Sequence, residues 1–172
     1  VWRPCDTAES LVSWVEAVKA QDHPSCLIFS RQGLPFVARS EAQLANIAKG
    51  GYVLSDADNA QAVLLATGSE VALALDAQKA LAAEGVAVRV VSMPATTVFD
   101  QQDKAYQASV LPKGLPRVAV EAGVSDFWRK YVGLEGAVVG IDHFGESAPA
   151  NELFKTFGFT TENVVAAVKS VL

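Results

Sequence analysis

Short valine-rich runs alternate with segments of helical length from residue 62 to the end of the chain. The runs are AVLLA (62–66), VAVRVVSM (86–93), RVAVEA (117–122) and GAVVGI (136–141). Each is apolar along its length rather than at alternate positions, which is typical of strands covered on both faces. The alternation therefore predicts a three-layer α/β/α domain around a mostly parallel, mixed sheet.

The segments between these strands carry helix start and stop signals. Ser69 is predicted to cap a helix that ends before Gly85, a residue suited to a left-handed conformation. Thr160 or Thr161 is predicted to cap the last helix, whose apolar stripe consists of Val164, Val165 and Val168. Further helices are predicted in DQQDKAYQASVL, SDFWRKYVG and SAPANELFKTFG.

The first 35 residues predict a helix followed by a strand. Asp6 is the expected N-cap, with Glu9 placed to complete a capping box. Leu11, Trp14, Val15 and Val18 then form one apolar stripe at helical spacing. The apolar run from Ser25 to Ser30 predicts a buried strand. This is half of a βαβ unit, and with the start on Val1 it suggests a chain cut from something longer.

The pattern loosens between Phe36 and Asn59. SEAQLANIAKGG predicts a short helix that ends at Gly50–Gly51, and YVL predicts a short strand beyond it. A domain boundary is therefore expected in this region.

Composition excludes several classes of protein. Hydrophobic residues make up 51% and charged residues 19%, a globular balance. The formal charge of −5 argues against binding to nucleic acid. The apolar runs fall far short of the ~20 residues of a membrane span. Cys5 and Cys26 are too few for a disulfide framework, so we expect reduced thiols in a cytosolic protein.

Three motifs invite a functional interpretation, and each has a simpler one. ATGSEV (66–71) opens a helix after a strand, but it has one glycine and no lysine, and Glu70 puts negative charge where an anion would bind. Asp142 and His143 in IDHFGES are adjacent and point opposite ways on an extended chain, which favours structural roles over a triad or a metal site. The aromatics of DFWRKYVG are expected to pack on their own sheet or on a partner subunit.

The motif FSRQGLP is different, because Arg31 follows the end of an apolar strand. Open α/β sheets bind ligands at that end. A guanidinium offers a planar fork of donors that suits phosphate or carboxylate. The residues alone leave two interpretations open: a ligand contact or a salt bridge between domains.

Several segments together resemble the carboxy-terminal part of the transketolase family. They are VWRPCD, SRQGLP, LANIAKGGYVL, ATGSEVALAL, VRVVSMP, VLP, RVAVEAG, KYVG and FGESAP followed by TTENV. They occur in family order, and the resemblance covers essentially the whole chain. Related thiamine-dependent enzymes share the architecture, but SRQGLP and RVAVEAG resemble transketolase most.

The resemblance implies a cytoplasmic homodimer that moves a two-carbon ketol unit between phosphorylated sugars. Transketolases use thiamine diphosphate and a divalent metal, magnesium or calcium. By this resemblance, residues 1–35 are the end of a pyrimidine-binding domain, residues 36–59 a linker and edge strand, and residues 60–172 the C-terminal domain. Partners are the rest of the transketolase chain, a second subunit and the sugar phosphates, with no nucleic acid and no membrane.

The resemblance assigns one site residue to this chain. In the family, the arginine of the SRQ segment helps to bind the phosphate of the sugar, which transfers to Arg31. Family members usually carry Asn at the position of Gly33, so the geometry of this loop is open. No catalytic, cofactor-binding or metal-binding residue is expected here, since the Gly-Asp-Gly…Asn motif is absent and the glutamate, aromatics and histidines of the family site lie upstream.

A chain without those residues is expected to be inactive alone, because thiamine chemistry needs the cofactor. Two alternatives come from other classes of function. One is a ligand-binding or regulatory α/β module that uses the carboxyl ends of strands near ATGSEV and SMPATT. The other is a module for dimer assembly, in which the apolar surplus forms a subunit face.

Overall fold

The computed structural model describes residues 1–172. It contains five strands, eight α-helices and one 3₁₀ turn, Ser125–Trp128. The strands are β1 (Tyr52–Ser55), β2 (Ala62–Ala66), β3 (Val88–Ser92), β4 (Arg117–Val120) and β5 (Ala137–Val139). The helices are α1 (Thr7–Lys19), α2 (Glu41–Ile47), α3 (Glu70–Ala83), α4 (Thr96–Asp100), α5 (Lys104–Val110), α6 (Arg129–Val132), α7 (Ala150–Thr156) and α8 (Thr161–Lys169).

The five strands form one mixed sheet in the order β1-β3-β2-β4-β5. Strands β2 to β5 run parallel, and β1 pairs antiparallel with β3 at the edge. Leu64 of β2 lies between Val90 of β3 and Val118 of β4, at the centre of the sheet. The predicted mostly parallel, mixed sheet is confirmed.

Helices cover both faces of the sheet, which confirms the three layers. Alternate residues of β2 face opposite ways, so Leu64 packs in the core under α3 and α8, and Leu65 packs in the core under α4, α5 and α6. Both are fully buried. This two-sided burial explains why the strands are apolar at successive positions.

Several helix ends match the sequence signals. Asp6 caps α1 by accepting from the backbone N–H of Glu9 at 3.1 Å, and Thr160 caps α8. Gly85 leaves α3 with a φ of +81°. Ser69 was expected to cap α3, but its hydroxyl donates to the Glu70 carboxylate instead. The predicted stripe Val164, Val165 and Val168 is buried.

The segment DQQDKAYQASVL (100–111), predicted as one helix, is continuously helical only from Lys104 to Val110. Helix α4 ends at Asp100 and α5 begins at Lys104. Asp103 lies between them and accepts from the backbone N–H of Tyr106 at 2.8 Å, which makes it the N-cap of α5. The capping side chain of Asp103 therefore starts the helix later than the sequence predicted.

The prediction of a buried strand at Ser25–Ser30 is wrong. Only an isolated parallel bridge joins Leu27 to Trp2. Ile28 and Phe29 are 48% and 45% exposed. A parallel strand is buried when other strands flank it and helices cover its faces. Here a single residue pair forms the only ladder, so the segment stays exposed.

The apolar stripe of α1 also faces outward. Leu11 is 66% exposed and Val18 77% exposed, and the Trp14 ring stacks only on Phe29, at 6.2 Å between centroids. The side of α1 that packs on the rest of the chain includes the fully buried Glu9 and Ser13, together with the partly buried Ala8 and Val12. None of the helices has the length and apolar character needed to cross a membrane.

Candidate functional site

Arg31 lies in the exposed segment between the Leu27 bridge and α2. Its neighbours Ser30 and Gln32 line a shallow groove with Thr7 and Ser10 of α1, and Arg31 does not line it. The guanidinium is exposed. Since no carboxylate lies within ion-pair distance of it, the salt-bridge interpretation has no partner among these 172 residues.

The backbone at Gly33 tolerates the residue that family members carry. Its φ lies outside the left-handed region, and a Cβ built there meets no atom within 4 Å. The Cβ of an asparagine therefore fits at this position without displacing a neighbour. Glycine instead of asparagine at position 33 therefore removes a side chain near Arg31, and it does not require a different backbone conformation.

A buried polar cluster fixes the first segment to the domain. The Glu9 carboxylate accepts from the Tyr52 hydroxyl at 2.7 Å and from the Ser92 hydroxyl at 2.6 Å. Its other oxygen accepts from the backbone N–H of Cys5 at 2.8 Å. Glu9 therefore does not close the predicted capping box on Asp6. It joins α1 to the edge strand β1 and to β3.

Arg39 completes this cluster from the other side. Its guanidinium donates to Asp6 at 2.6 Å and to the Tyr52 hydroxyl at 2.7 Å, and its side chain is fully buried. Burial alone would lower the pKa of Arg39, but the bonds to Asp6 and Tyr52 raise it. Burial raises the pKa of the Tyr52 phenol and of the Cys5 thiol, so both stay protonated at neutral pH.

A cavity of about 370 Å³ lies at the carboxyl ends of the parallel strands. Thr67 after β2, Pro94 after β3 and Glu121 after β4 line it. Arg3 crosses it and pairs with Glu121. The Trp128 indole donates to Glu121 at 2.5 Å. The cavity lies at the strand ends where a ligand-binding module would place its site. Its carboxylate, Glu121, is already paired with Arg3 of the same chain.

Glu70 is the first residue of α3 and puts a carboxylate at the helix end where an anion would bind. The Glu70 carboxylate is fully buried beside the start of α3, accepts from the Ser69 hydroxyl and lies 3.5 Å from Arg3. One of its oxygens has no hydrogen-bond partner. Burial raises the pKa of Glu70, against the opposing effects of Ser69 and Arg3. The carboxylate thus occupies the helix end, as its sequence position suggested.

We expect Glu70→Gln to stabilise the protein at neutral and alkaline pH. Because folding raises the pKa of Glu70, its favourable contribution is full below the unfolded value of about 4.3 and is lost as pH rises through the folded value. The glutamine variant lacks this loss, so its advantage in urea unfolding should grow between about pH 5 and about pH 8. Glu162→Gln, at an exposed position in α8, is the control. A less stable Glu70→Gln protein at pH 8 contradicts the account.

The side chains of Asp142 and His143 contact different residues, as the sequence predicted. Asp142 accepts from the backbone N–H of Ser125 at 2.9 Å and from its hydroxyl at 2.6 Å, and these bonds lower the pKa of Asp142. The His143 ring packs edge-on against Phe157 at 5.0 Å. The two side chains form no triad. Asp142 instead holds the start of the 3₁₀ turn.

Two of the three aromatic residues of DFWRKYVG pack inward, whereas Phe127 is 53% exposed. Trp128 is fully buried and Tyr131 nearly so, both in the core on the α4–α6 face of the sheet. No group of three or more His, Cys, Asp or Glu side chains is arranged to hold a metal ion.

Comparison with known proteins agrees with this fold. Residues 50–160 match the family described as the transketolase-like TK C-terminal domain. The chain belongs to the transketolase family. It is 60% identical to transketolase 1 of Escherichia coli K12, over 99% of this chain and 26% of that protein. The chain thus spans about a quarter of the length of this transketolase.

Solved transketolase structures share the whole architecture. A Pichia stipitis transketolase in complex with sedoheptulose 7-phosphate matches 99% of this chain and 25% of its own, with a TM-score of 0.91 and 40% identity. A split-gene transketolase described as an inactive beta4 tetramer matches 99% of this chain and 57% of its own, with a TM-score of 0.72 and 27% identity. These matches confirm the resemblance and the fold class inferred from the sequence.

The sequence indicated Arg31 as a candidate site residue, which stays a prediction, and it carried no sign of the buried cluster around Glu9. Arg39, Tyr52 and Ser92 carried no signal of their own, because each is an ordinary residue in its local segment. The one available hint was Glu9 itself, a carboxylate at the third position of a helix. The structure shows that it serves residues as distant as Ser92.

Proposed function

We propose that these residues are the carboxy-terminal part of a transketolase that works in the cytoplasm as a homodimer. The parent transfers a two-carbon ketol unit between phosphorylated sugars. Residues 1–35 belong to its pyrimidine-binding domain, residues 36–59 are the linker and edge strand, and residues 60–172 are the C-terminal domain. Similarity to transketolases over 99% of this chain supports the proposal.

Thiamine diphosphate and a divalent metal, magnesium or calcium, are bound in this proposal by parts of the parent outside these residues. The cofactor supplies the carbanion chemistry. The chain's own contribution is to bind and orient a substrate.

Arg31 is the residue that makes this contribution, through the phosphate of the sugar. Its exposed guanidinium, without a carboxylate partner, is the observation that carries the assignment. The fork of N–H donors can take two phosphate oxygens at once. The sedoheptulose 7-phosphate complex of the Pichia stipitis enzyme supports a phosphorylated sugar as the ligand.

The 172-residue protein alone is expected to show no ketol transfer when thiamine diphosphate and magnesium are supplied. The physical reason is that the proposed division leaves the cofactor-binding residues elsewhere in the parent. The measurement is a coupled assay with a phosphorylated ketose donor and an aldose phosphate acceptor, with the full-length protein as the positive control. Turnover above the no-protein background contradicts the proposed division.

A further inference from the structure

A pocket of about 550 Å³ lies on the helical layer formed by α4, α5 and α6. It is bounded by these helices, by the loop after α5 and by the first residue of β4. Its volume falls within the range of small-molecule sites, about 300–1,000 Å³. The proposed transketolase function makes no use of it.

The base of the pocket is apolar. Phe99, Leu111 and Tyr131, here called the apolar floor, are each almost fully buried and line it. The rings of Phe99 and Tyr131 lie 6.5 Å apart and tilted. Only a small part of each of these side chains is exposed at the base of the pocket, and the exposed Ala108 adds its methyl group to the apolar lining.

The sides of the pocket are basic. Lys104, Lys113, Arg117 and Lys130, here called the cationic rim, face one carboxylate, that of Asp100. The single ion pair within the pocket joins Lys130 to Asp100, at 2.6 Å, and Asp100 also accepts from the Tyr131 hydroxyl. Lys104 bonds only to the side-chain oxygen of Gln107, at 3.0 Å.

Arg117 is a half-buried member of the cationic rim, so part of the positive charge lies below the surface of the protein. Its guanidinium donates to three backbone oxygens, those of Tyr131, Leu111 and Pro112, and to no carboxylate. Burial lowers the pKa of Arg117. A half-buried guanidinium neutralised only by carbonyl dipoles gains from an anion placed beside it.

Positive charge is concentrated at this pocket, although the chain as a whole carries a formal charge of −5. A concave basic surface on an acidic protein concentrates its field within the pocket and raises the local concentration of anions. Lysines bind phosphate as point charges, and three of them with Arg117 can neutralise more than one phosphate charge.

We propose that this pocket binds a small organic phosphate, with its phosphate groups on the cationic rim and its less polar part on the apolar floor. A bare inorganic anion leaves the floor and most of the volume unfilled. An uncharged ring compound leaves the rim unmatched. The proposal is independent of the role of Arg31, so either can fail without the other.

Titration calorimetry of the 172-residue protein at low salt tests the proposal with ADP, adenosine and inorganic pyrophosphate. ADP carries both parts of the expected ligand, and the other two probes carry one each. We expect ADP to bind at least about tenfold tighter than either, with an affinity that falls as salt is raised. Absence of ADP binding overturns the proposal, as does pyrophosphate or adenosine binding as tightly as ADP.

The variants locate the binding. Lys104→Gln with Lys113→Gln removes two rim charges at exposed positions and should weaken ADP binding at least about tenfold. Ala108→Glu places a carboxylate on the lining of the pocket and should abolish it. Lys79→Gln with Lys155→Gln removes the same charge from α3 and α7 and should change the affinity less than about twofold. Equal weakening by the rim pair and the control pair means a non-specific charge effect and overturns the assignment.

Discussion

Glu9→Ala should destabilise the protein by about 3–5 kcal/mol, because it leaves three buried hydrogen-bond donors unsatisfied, each at a cost of about 1–3 kcal/mol. The carboxylate takes hydrogen bonds from Cys5, Tyr52 and Ser92, and lies 3.5 Å from the Arg39 guanidinium. Its removal leaves these donors buried without an acceptor. Urea unfolding followed by circular dichroism measures the change.

Glu16→Ala is the matched control for this experiment. Glu16 is on the same helix and pairs only with Lys19, three residues on, near the surface. Its loss should cost less than about 1 kcal/mol, as for other exposed ion pairs. If Glu9→Ala costs no more than Glu16→Ala, the cluster does not fix α1 to β1 and β3, and the account of how this segment is held is wrong.

Arg31→Gln in the full-length protein should lower kcat/KM for a phosphorylated ketose by about a hundredfold, since an ionic hydrogen-bonded contact is worth about 2–5 kcal/mol. Most of the loss should appear in KM, because the phosphate is remote from the bond that reacts. The folded state should be unaffected, because the exposed guanidinium supports no other side chain. Steady-state kinetics with varied donor measure the effect.

Arg129→Gln supplies the control for charge. Arg129 is also exposed, and its one hydrogen bond is to the backbone oxygen of Gly136. The variant loses the same formal charge at a distance from the SRQ segment. Its kcat/KM should stay within about twofold of the unmodified protein, because exposed charges beyond a Debye length are screened. A comparable loss in both variants means that Arg31 acts through net charge alone.

The sheet could be predicted because its signal is local and strong. Strand β2 is apolar at every position, so two-sided burial and hence a parallel sheet follow from five residues. The stripe of α8 follows from helical spacing in the same way. Asp6 and Thr160 were recognisable as caps because their partners are three residues away.

The remaining features depend on partners far apart in the chain. Glu9 and Ser92 are 83 residues apart, and no pattern links them before the chain folds. Lys104, Lys113 and Lys130 belong to three separate segments, and only the packing of α5 and α6 on β4 brings them around one pocket. The run Ser25–Ser30 has the composition of a strand, but pairing needs a neighbour that composition cannot supply.

The ratio of kcat/KM for a phosphorylated ketose to that for a phosphate-free ketose, in the full-length protein with and without Arg31→Gln, tests the central claim most directly. If Arg31 binds the substrate phosphate, the substitution should lower this ratio by about a hundredfold and leave turnover of the phosphate-free donor within about twofold. An equal fall with both donors, or no fall with either, contradicts the assignment of Arg31 to the sugar phosphate.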